Sequence, residues 1–329
     1  MDVCGTATHD AIVWGSTPEE RERRRRDNDP KLQVPITSEL GCVTPHIVAG
    51  WAFSRSELAE QVLNLVVSMT SNTGCNCNSA KVLVLPRDWP QAGEFLDLLR
   101  ETLRKTPMAP PYYPGIHARY EAFKKRYPAC EAFEGPAVPS SRPLGPHLPF
   151  LLHVMEEVPE DPAEEAFNVE PFAPVLTVVS LPTSGPEEFL REAVRFANTR
   201  LWGSLSATIV LHPGLEKAHP EAAQKAVDEL RYGVVSVNAW AATSFLVGSC
   251  TWGAFDGDQT IADVGSGLGV VGNPFLVAGV QKAVYRTPLA GQAIPKPPQA
   301  MAIPLVAAKL VLGYVVGGFW GMLRAVWAR

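Results

Sequence analysis

The sequence predicts an α/β protein in which a parallel sheet is connected by crossover helices. Strand-like and helix-like segments alternate between residues 175 and 238, the order that produces parallel strands joined by helices. A second strand signal, Lys81-Val-Leu-Val-Leu85, is ended by Pro86. The 329 residues are 46% hydrophobic and 19% charged, which is a globular composition. A net charge of -5 argues against a nucleic-acid partner.

The N-terminal segment carries two contrasting patterns. Residues 11–16 are apolar and end in a turn, so we expect the chain to open with a short buried strand. Residues 19–29 are dense in charge and include four consecutive arginines at 23–26. Such a run can bind anions, but acidic residues are interspersed, so we interpret it as a solvated surface loop. A further strand is expected at Pro45–Val48.

A helix is predicted after Ser54, and a short loop follows it. Ser54 and Glu57 have the spacing of a capping box, and apolar residues then recur at helical spacing as far as Met69. Asn72-Thr-Gly74 ends this helix. Cys77 therefore lies on a loop between a helix and the strand Lys81–Leu85, where a side chain can be both exposed and firmly placed.

The rest of the predicted domain alternates helices and strands around one irregular excursion. Residues 91–105 form an amphipathic helix, residues 107–148 are mostly irregular, and the glycine-rich residues 241–275 form loops beside a site. The other predicted elements are a strand at Val175–Leu181, a helix capped within Ser184–Glu187, a strand at Ser204–Leu211, a helix at Pro220–Tyr232 and a strand at Val234–Asn238.

The C-terminal tail is predicted to be an apolar helix after a linker at Pro295–Pro298. Leu310–Leu323 is a run of 14 uncharged residues between Lys309 and Arg324. Spanning a bilayer takes about 20 residues, a length that is reached only if both flanking cations extend towards the interface. The run also has glycine at every fourth position, as membrane helices in close contact do. Three interpretations stay open: a membrane tail, an interfacial or oligomer-packed helix, and a core helix.

The six cysteines favour free thiols in a reducing compartment. They show no zinc-binding spacing, and Cys75 and Cys77 are too close together for an ordinary disulfide. The first ten residues lack the features of a signal peptide. We therefore expect a protein that is cytoplasmic, or membrane-associated and facing the cytoplasm. The seven histidines are scattered, and no metal site is predicted.

Three short motifs together resemble those of the aldehyde dehydrogenase superfamily. They are Glu39-Leu-Gly41, Gly74-Cys-Asn-Cys77 and Glu170-Pro-Phe172-Ala-Pro174, and each is weak alone. Glu39 precedes Cys77 by 38 residues and Glu170 follows it by 93, which resembles the family's Glu-Leu-Gly-Gly, Gly-x-x-Cys and Glu-x-Phe-x-Pro order. Further similar segments are Cys4-Gly5-Thr6, Ala197-Asn198, Trp202-Gly203, Gly233–Asn238 and Ser266–Gly269.

The resemblance implies a role for each matching residue. Cys77 corresponds to the nucleophile, with Cys75 as the competing choice, and Glu39 corresponds to the general base. Glu170 corresponds to the carboxylate that holds the nicotinamide ribose, and Phe172 to the ring beside the nicotinamide. Two glycines are also expected at the cofactor: Gly41 in the Glu39 motif, and Gly5 in a turn near the nicotinamide. The implied cofactor is NAD or NADP.

The implied reaction oxidises a small-molecule aldehyde to a carboxylic acid. The thiolate adds to the aldehyde, a hydride leaves the resulting thiohemiacetal, and Glu39-activated water cleaves the thioester. The Glu39 motif departs from the family at Cys42, where a second glycine is usual. The alternative is a catalytically inactive fragment that acts as an oligomerisation or membrane-associated module.

The resemblance also implies the domain organisation and a truncated N-terminus. We expect a remnant of the cofactor-binding domain at 1–38 and the catalytic domain at 39–240. A segment that returns to the cofactor and oligomerisation region is expected at 241–294, and the linker and tail helix at 295–329. Most of the nucleotide-binding half is expected to lie before Met1, and the intact protein is expected to form a homo-oligomer.

Overall fold

The computed structural model describes residues 6–140, 142–246, 248–257, 259–273, 275, 277–291 and 305–327. Its helices are α1 (Thr6–Val13), α2 (Pro18–Arg26), α3 (Arg55–Thr70), α4 (Ala92–Lys105), α5 (Ile116–Arg126), α6 (Glu165–Asn168), α7 (Pro186–Arg200), α8 (Pro213–Ala218), α9 (Pro220–Glu229), α10 (Ala242–Leu246) and α11 (Leu305–Trp327). Its strands are β1 (Ser38–Glu39), β2 (Thr44–Val48), β3 (Ala80–Pro86), β4 (Glu131–Phe133), β5 (Phe150–Val154), β6 (Val175–Leu181), β7 (Ser206–Val210), β8 (Val234–Val237), β9 (Trp252–Gly253), β10 (Gly267–Leu268), β11 (Val270–Gly272) and β12 (Ala283–Arg286).

Eight of these strands form one large sheet in the order β12-β8-β7-β2-β3-β6-β5-β4. Every neighbouring pair is parallel except β4 and β5. Parallel neighbours cannot be joined by a tight turn, so helices connect them. The predicted α/β fold with a parallel sheet and crossover helices is confirmed.

Both faces of the large sheet are buried, because helices cover each of them. Successive residues of β3 show this: Val82 and Val84 pack into the core that contains α7 and α9 residues. Leu83 and Leu85 pack into the core that contains α3 and α4 residues. A parallel strand buried on both faces reads as a continuous apolar run, which is why this strand was recognisable in the sequence.

The capping box that begins α3 is confirmed. The Glu57 backbone N–H donates to Ser54 Oγ at 3.3 Å, and the Ser54 backbone N–H donates to Glu57 Oε2 at 2.7 Å. The cap of α7 differs from the prediction. Gly185 is the N-cap residue of this helix. The backbone N–H of Ser184 donates to the Glu188 carboxylate, and not to that of Glu187. Gly185 has no side chain to accept a hydrogen bond, so α7 begins without a capping box.

Two expectations about irregular segments or strands are wrong, and a third holds for most of its segment but omits two elements. Residues 11–13 of the opening apolar segment belong to the end of helix α1 and not to a strand, and Val13 is buried. The charged run 19–29 is mostly helix α2, because Thr17 caps it and its acidic and arginine residues lie at the ends that the helix dipole favours. The excursion 107–148 contains helix α5, whose Ile116, Tyr120 and Phe123 are buried at helical spacing, and strand β4.

The tail helix α11 is interrupted at Gly317 and Gly318, whose backbone angles are not helical. A side chain at Gly321 would overlap the Gly313 backbone. The glycine spacing therefore allows a close contact within the chain. Among the residues that the structure describes, no helix is long and apolar enough to cross a membrane.

Candidate active site

The candidate catalytic residues all lie just before strands of the large sheet. Glu39 precedes β2, Cys77 precedes β3, and Glu170 and Phe172 precede β6. These three strands are adjacent and parallel, so their amino ends lie at one edge of the sheet. The fold thereby gathers three segments that are far apart in sequence.

Cys77 and Glu39 are in direct contact. The Cys77 thiol donates a hydrogen bond to Glu39 Oε1, and the Sγ–Oε1 distance is 2.9 Å. Both residues are partly exposed, so the pair is accessible from solvent. A carboxylate at this distance can accept the thiol proton and so produce the thiolate, which is the nucleophilic form.

The segment around Ser266 holds Glu39 in place. Glu39 lies in β1, which pairs antiparallel with β10, and the backbone N–H of Leu40 donates to the Ser266 carbonyl at 2.8 Å. Ser266 Oγ donates to the Gly41 carbonyl at 2.8 Å and accepts from the Ser204 backbone N–H at 2.8 Å. The Ser266–Gly269 motif thus joins the Glu39 strand to the residues before β7.

The loop that carries Cys77 has a constrained backbone. Asn72, Thr73 and Gly74 all have left-handed angles, with φ of 53°, 57° and 73°. A side chain at Gly74 would overlap the Ala173 carbonyl. The backbones of the loop before β3 and the loop before β6 are therefore in direct contact. Two consecutive non-glycine residues in this conformation require external support from the surrounding structure.

Cys75 and Cys77 occupy different environments. Cys75 is buried, its thiol donates to the Phe172 carbonyl at 3.3 Å, and burial raises the pKa of this thiol to about 11. Cys77 is partly exposed and contacts a carboxylate. This contrast favours Cys77 over Cys75 as the reacting thiol.

Glu170 faces inward, towards Gly41 and Lys81. A side chain at Gly41 would collide with the Glu170 carboxylate, so the glycine is required for this approach. Glu170 Oε1 is buried and has no hydrogen-bond partner among the described residues. Burial raises the pKa of Glu170, while Lys81 and the Cys42 backbone oppose this rise.

Phe172 belongs to an aromatic and cationic group. Its φ of 42° is unusual for a bulky residue. Its ring packs edge-on against Tyr113 at 4.9 Å, and the Arg119 guanidinium lies 5.6 Å from the Phe172 ring centre. Arg119 and Tyr113 come from the segment 107–148, whose prolines and glycines predict irregular structure, so the sequence does not indicate their place at this site.

Lys81 and Trp240 were also missed. Lys81 is 2% exposed and donates to backbone atoms of both loops, and Trp240 Nε1 donates to the Asn78 carbonyl at 2.9 Å. The signal for Lys81 is a single charge that opens an otherwise apolar strand. No comparable signal marks Trp240, because its partner lies 162 residues away.

Other features do not extend this site. Gly5 lies outside the described residues, so its predicted position at the cofactor is not described. A cavity of about 530 Å³ lies at the opposite, carboxyl edge of the sheet, between Trp51, Trp89 and Phe189, away from Cys77. Among the described residues, no group of three or more His, Cys, Asp or Glu side chains is suited to hold a metal ion.

No protein-family model and no curated protein matches the chain. Solved structures do match. A NAD-dependent aldehyde dehydrogenase from Sinorhizobium meliloti is 18% identical, with a TM-score of 0.55 over 78% of this chain and 45% of that one. An aldehyde dehydrogenase from Mycobacterium tuberculosis, solved with NAD+, is 20% identical, with a TM-score of 0.54 over 78% of this chain and 48% of that one.

An NADP-dependent glyceraldehyde-3-phosphate dehydrogenase from Bacillus halodurans C-125, solved with NADP, matches equally well. It is 20% identical, with a TM-score of 0.54 over 78% of this chain and 48% of that one. The chain therefore has the aldehyde dehydrogenase fold. It spans about half the length of the solved structures that it matches.

Proposed function

We propose that the protein oxidises an aldehyde to a carboxylic acid, with Cys77 as nucleophile and Glu39 as general base. The observation that carries this proposal is the 2.9 Å contact between the Cys77 thiol and the Glu39 carboxylate. The aldehyde dehydrogenase fold supports it, because the pair lies on the two segments whose motifs resemble that family.

In the proposed reaction, Glu39 takes the thiol proton and the Cys77 thiolate adds to the aldehyde carbon. The tetrahedral adduct is oxidised to a thioester by loss of a hydride. Glu39, which is partly exposed, passes the thiol proton to solvent and is again a carboxylate. It then takes a proton from a water molecule, which attacks the thioester, so that the acid leaves and the Cys77 thiolate is restored. One carboxylate can serve both steps because it contacts the sulfur to which the acyl group is bound.

NAD or NADP is the proposed hydride acceptor. The residues at the nicotinamide end fit such a group in two respects. Glu170 Oε1 is a buried acceptor with no hydrogen-bond partner among the described residues, which suits a ribose hydroxyl, and Phe172 offers an aromatic ring nearby. Because Glu170 faces Gly41 in this structure, ribose binding requires its carboxylate to turn outward. Gly5 and Gly41 complete the proposed cofactor contacts.

The substrate class is a small-molecule aldehyde, and a homo-oligomer is the proposed state of the intact protein. Spectrophotometric measurement of NADH and NADPH formation with a panel of aldehydes tests the activity. We expect aldehyde-dependent formation by the wild type and none by Cys77→Ala. Cys75→Ala is the matched control and should keep most of the activity. No signal from well-folded wild type would favour the inactive-fragment alternative.

A further inference from the structure

Lys81 is a buried lysine whose contacts bridge the two loops of the proposed site. It lies in β3 and is only 2% exposed. Its Nζ donates to the Gly74 carbonyl at 2.9 Å, to Ser79 Oγ at 3.2 Å and to the Ala173 carbonyl at 2.9 Å. An ammonium group has three protons, and these three acceptors use all of them.

These contacts lie on either side of Cys77 and reach across to the neighbouring loop. Gly74 and Ser79 bracket Cys77 in sequence, and Ala173 follows Phe172. Ser79 is itself fixed to the end of α3, since its hydroxyl donates to the Ser68 carbonyl at 2.8 Å. The loop that needs support, with left-handed Asn72 and Thr73, is therefore tied at both ends.

Lys81 and Glu170 interact electrostatically within the same cluster. Burial lowers the pKa of Lys81 and raises that of Glu170, and the attraction between the two groups opposes both shifts. Cys75 and Arg119 are the other titratable groups that act on Lys81. The hydrogen bonds to Gly74, Ser79 and Ala173 hold the buried ammonium group in place, and Glu170 acts on it through charge alone.

We propose that Lys81 is a positioning residue, which fixes the Cys77 loop against the Glu170–Phe172 loop and thereby holds the Cys77 thiol at Glu39. The proposal rests on the proposed role of Cys77.

The test uses Lys81→Met and the double variant Lys81→Met/Glu170→Gln. Lys81→Met alone leaves a buried carboxylate without its partner, so it lowers stability for a reason unrelated to position. The double variant removes that charge and should recover stability, but it still lacks the three hydrogen bonds. The control is Lys105→Met, at an exposed lysine of α4 that pairs only on the surface with Glu101.

The first readout is acylation of Cys77 by 4-nitrophenyl acetate, which needs no cofactor. We expect the acylation rate to fall roughly tenfold to a hundredfold in both Lys81 variants, because a displacement of about 1 Å has effects of that size. The Michaelis constant and the Lys105→Met control should stay near wild type. A stable double variant that acylates at the wild-type rate would overturn the positioning role.

The second readout is amide hydrogen exchange, which separates this proposal from the proposed function. Exchange should become faster in residues 71–79 and 172–174 of the double variant and stay unchanged in α4. If wild-type Cys77 does not react with the ester, the proposed nucleophile fails, while the exchange data still decide whether Lys81 joins the loops. Unchanged exchange in both loops would contradict the proposal.

Discussion

At the scale of single residues, the environment of a thiol decides its chemistry. Cys75 and Cys77 are two positions apart, yet one is buried with its pKa raised to about 11 and the other contacts a carboxylate at 2.9 Å. The sequence favours Cys77 and keeps Cys75 as the competing choice, since both cysteines fall in the same motif. The distinction depends on which carbonyls and carboxylates surround each sulfur, and those come from distant segments.

Thiol alkylation should reveal this difference directly. With limiting iodoacetamide near neutral pH, we expect Cys77 to be modified first and Cys75 at least about tenfold more slowly, because the thiolate is the reactive form. Peptide mass spectrometry measures both rates in one sample. Preferential labelling of Cys75 would contradict the assignment of Cys77 as nucleophile.

At the scale of elements, the loop before β3 is shaped by glycine. Gly74 has a φ of 73° and no room for a side chain beside Ala173. We expect Gly74→Ala to lower the free energy of unfolding by about 1–3 kcal/mol, as measured by urea denaturation. The control is Gly93→Ala in α4, where nothing lies within 4 Å and alanine favours the helix, so stability should rise by about 0.5–1 kcal/mol.

Equal effects of these two substitutions would contradict the described conformation of the loop. A Gly74→Ala variant as stable as wild type would mean that the contact with Ala173 is not tight. Acylation of Cys77 should also slow in Gly74→Ala and not in Gly93→Ala, because only the first substitution displaces the loop that carries the thiol.

Most elements of the sheet could be predicted, since a buried strand or an amphipathic helix leaves a periodic pattern. β6 was predicted to the residue, and the capping box of α3 was read from Ser54 and Glu57. Helix α2 could not be predicted from periodicity, because it buries no residue and so has no apolar stripe, although its Glu and Arg residues suit the two helix ends. Prolines and glycines flank helix α5 on both sides, and they obscure its helical periodicity in the sequence.

Of the residues at the candidate site, only those that belong to a sequence motif could be predicted. The order and spacing of the motifs point to Cys77, Glu39, Glu170 and Phe172 as candidates, and the structure places these four residues at one edge of the sheet. Lys81, Arg119 and Trp240 were not found, because their importance comes from contacts across the fold that no local pattern records.

At the scale of the whole molecule, one buried histidine makes stability depend on pH. His46 in β2 is fully buried, neither ring nitrogen has a partner among the described residues, and burial lowers its pKa from 6.5 to about 3. The unfolded chain therefore binds a proton near pH 6.5 that the folded protein does not. Stability falls as pH decreases through this window.

Because His46 stays neutral in the fold, the free energy of unfolding should fall by about 2 kcal/mol as the pH decreases from about 7 to about 5. Urea denaturation at several pH values measures the dependence. His46→Leu should flatten it, whereas His117→Leu, at a partly exposed histidine near Pro146, should leave it unchanged. An identical pH dependence in His46→Leu and wild type would show that His46 does not remain neutral in the fold.

The central claim for the whole molecule is that a sulfur and a carboxylate, 38 residues apart in sequence, act as one catalytic unit. The most direct test follows the acetyl group on Cys77 by intact-protein mass spectrometry after addition of 4-nitrophenyl acetate to wild type and to Glu39→Gln. We predict that wild type turns over, whereas Glu39→Gln accumulates the acetylated form and hydrolyses it at least about a hundredfold more slowly. Equal hydrolysis rates in the two proteins, or acetylation at a residue other than Cys77, would contradict the claim.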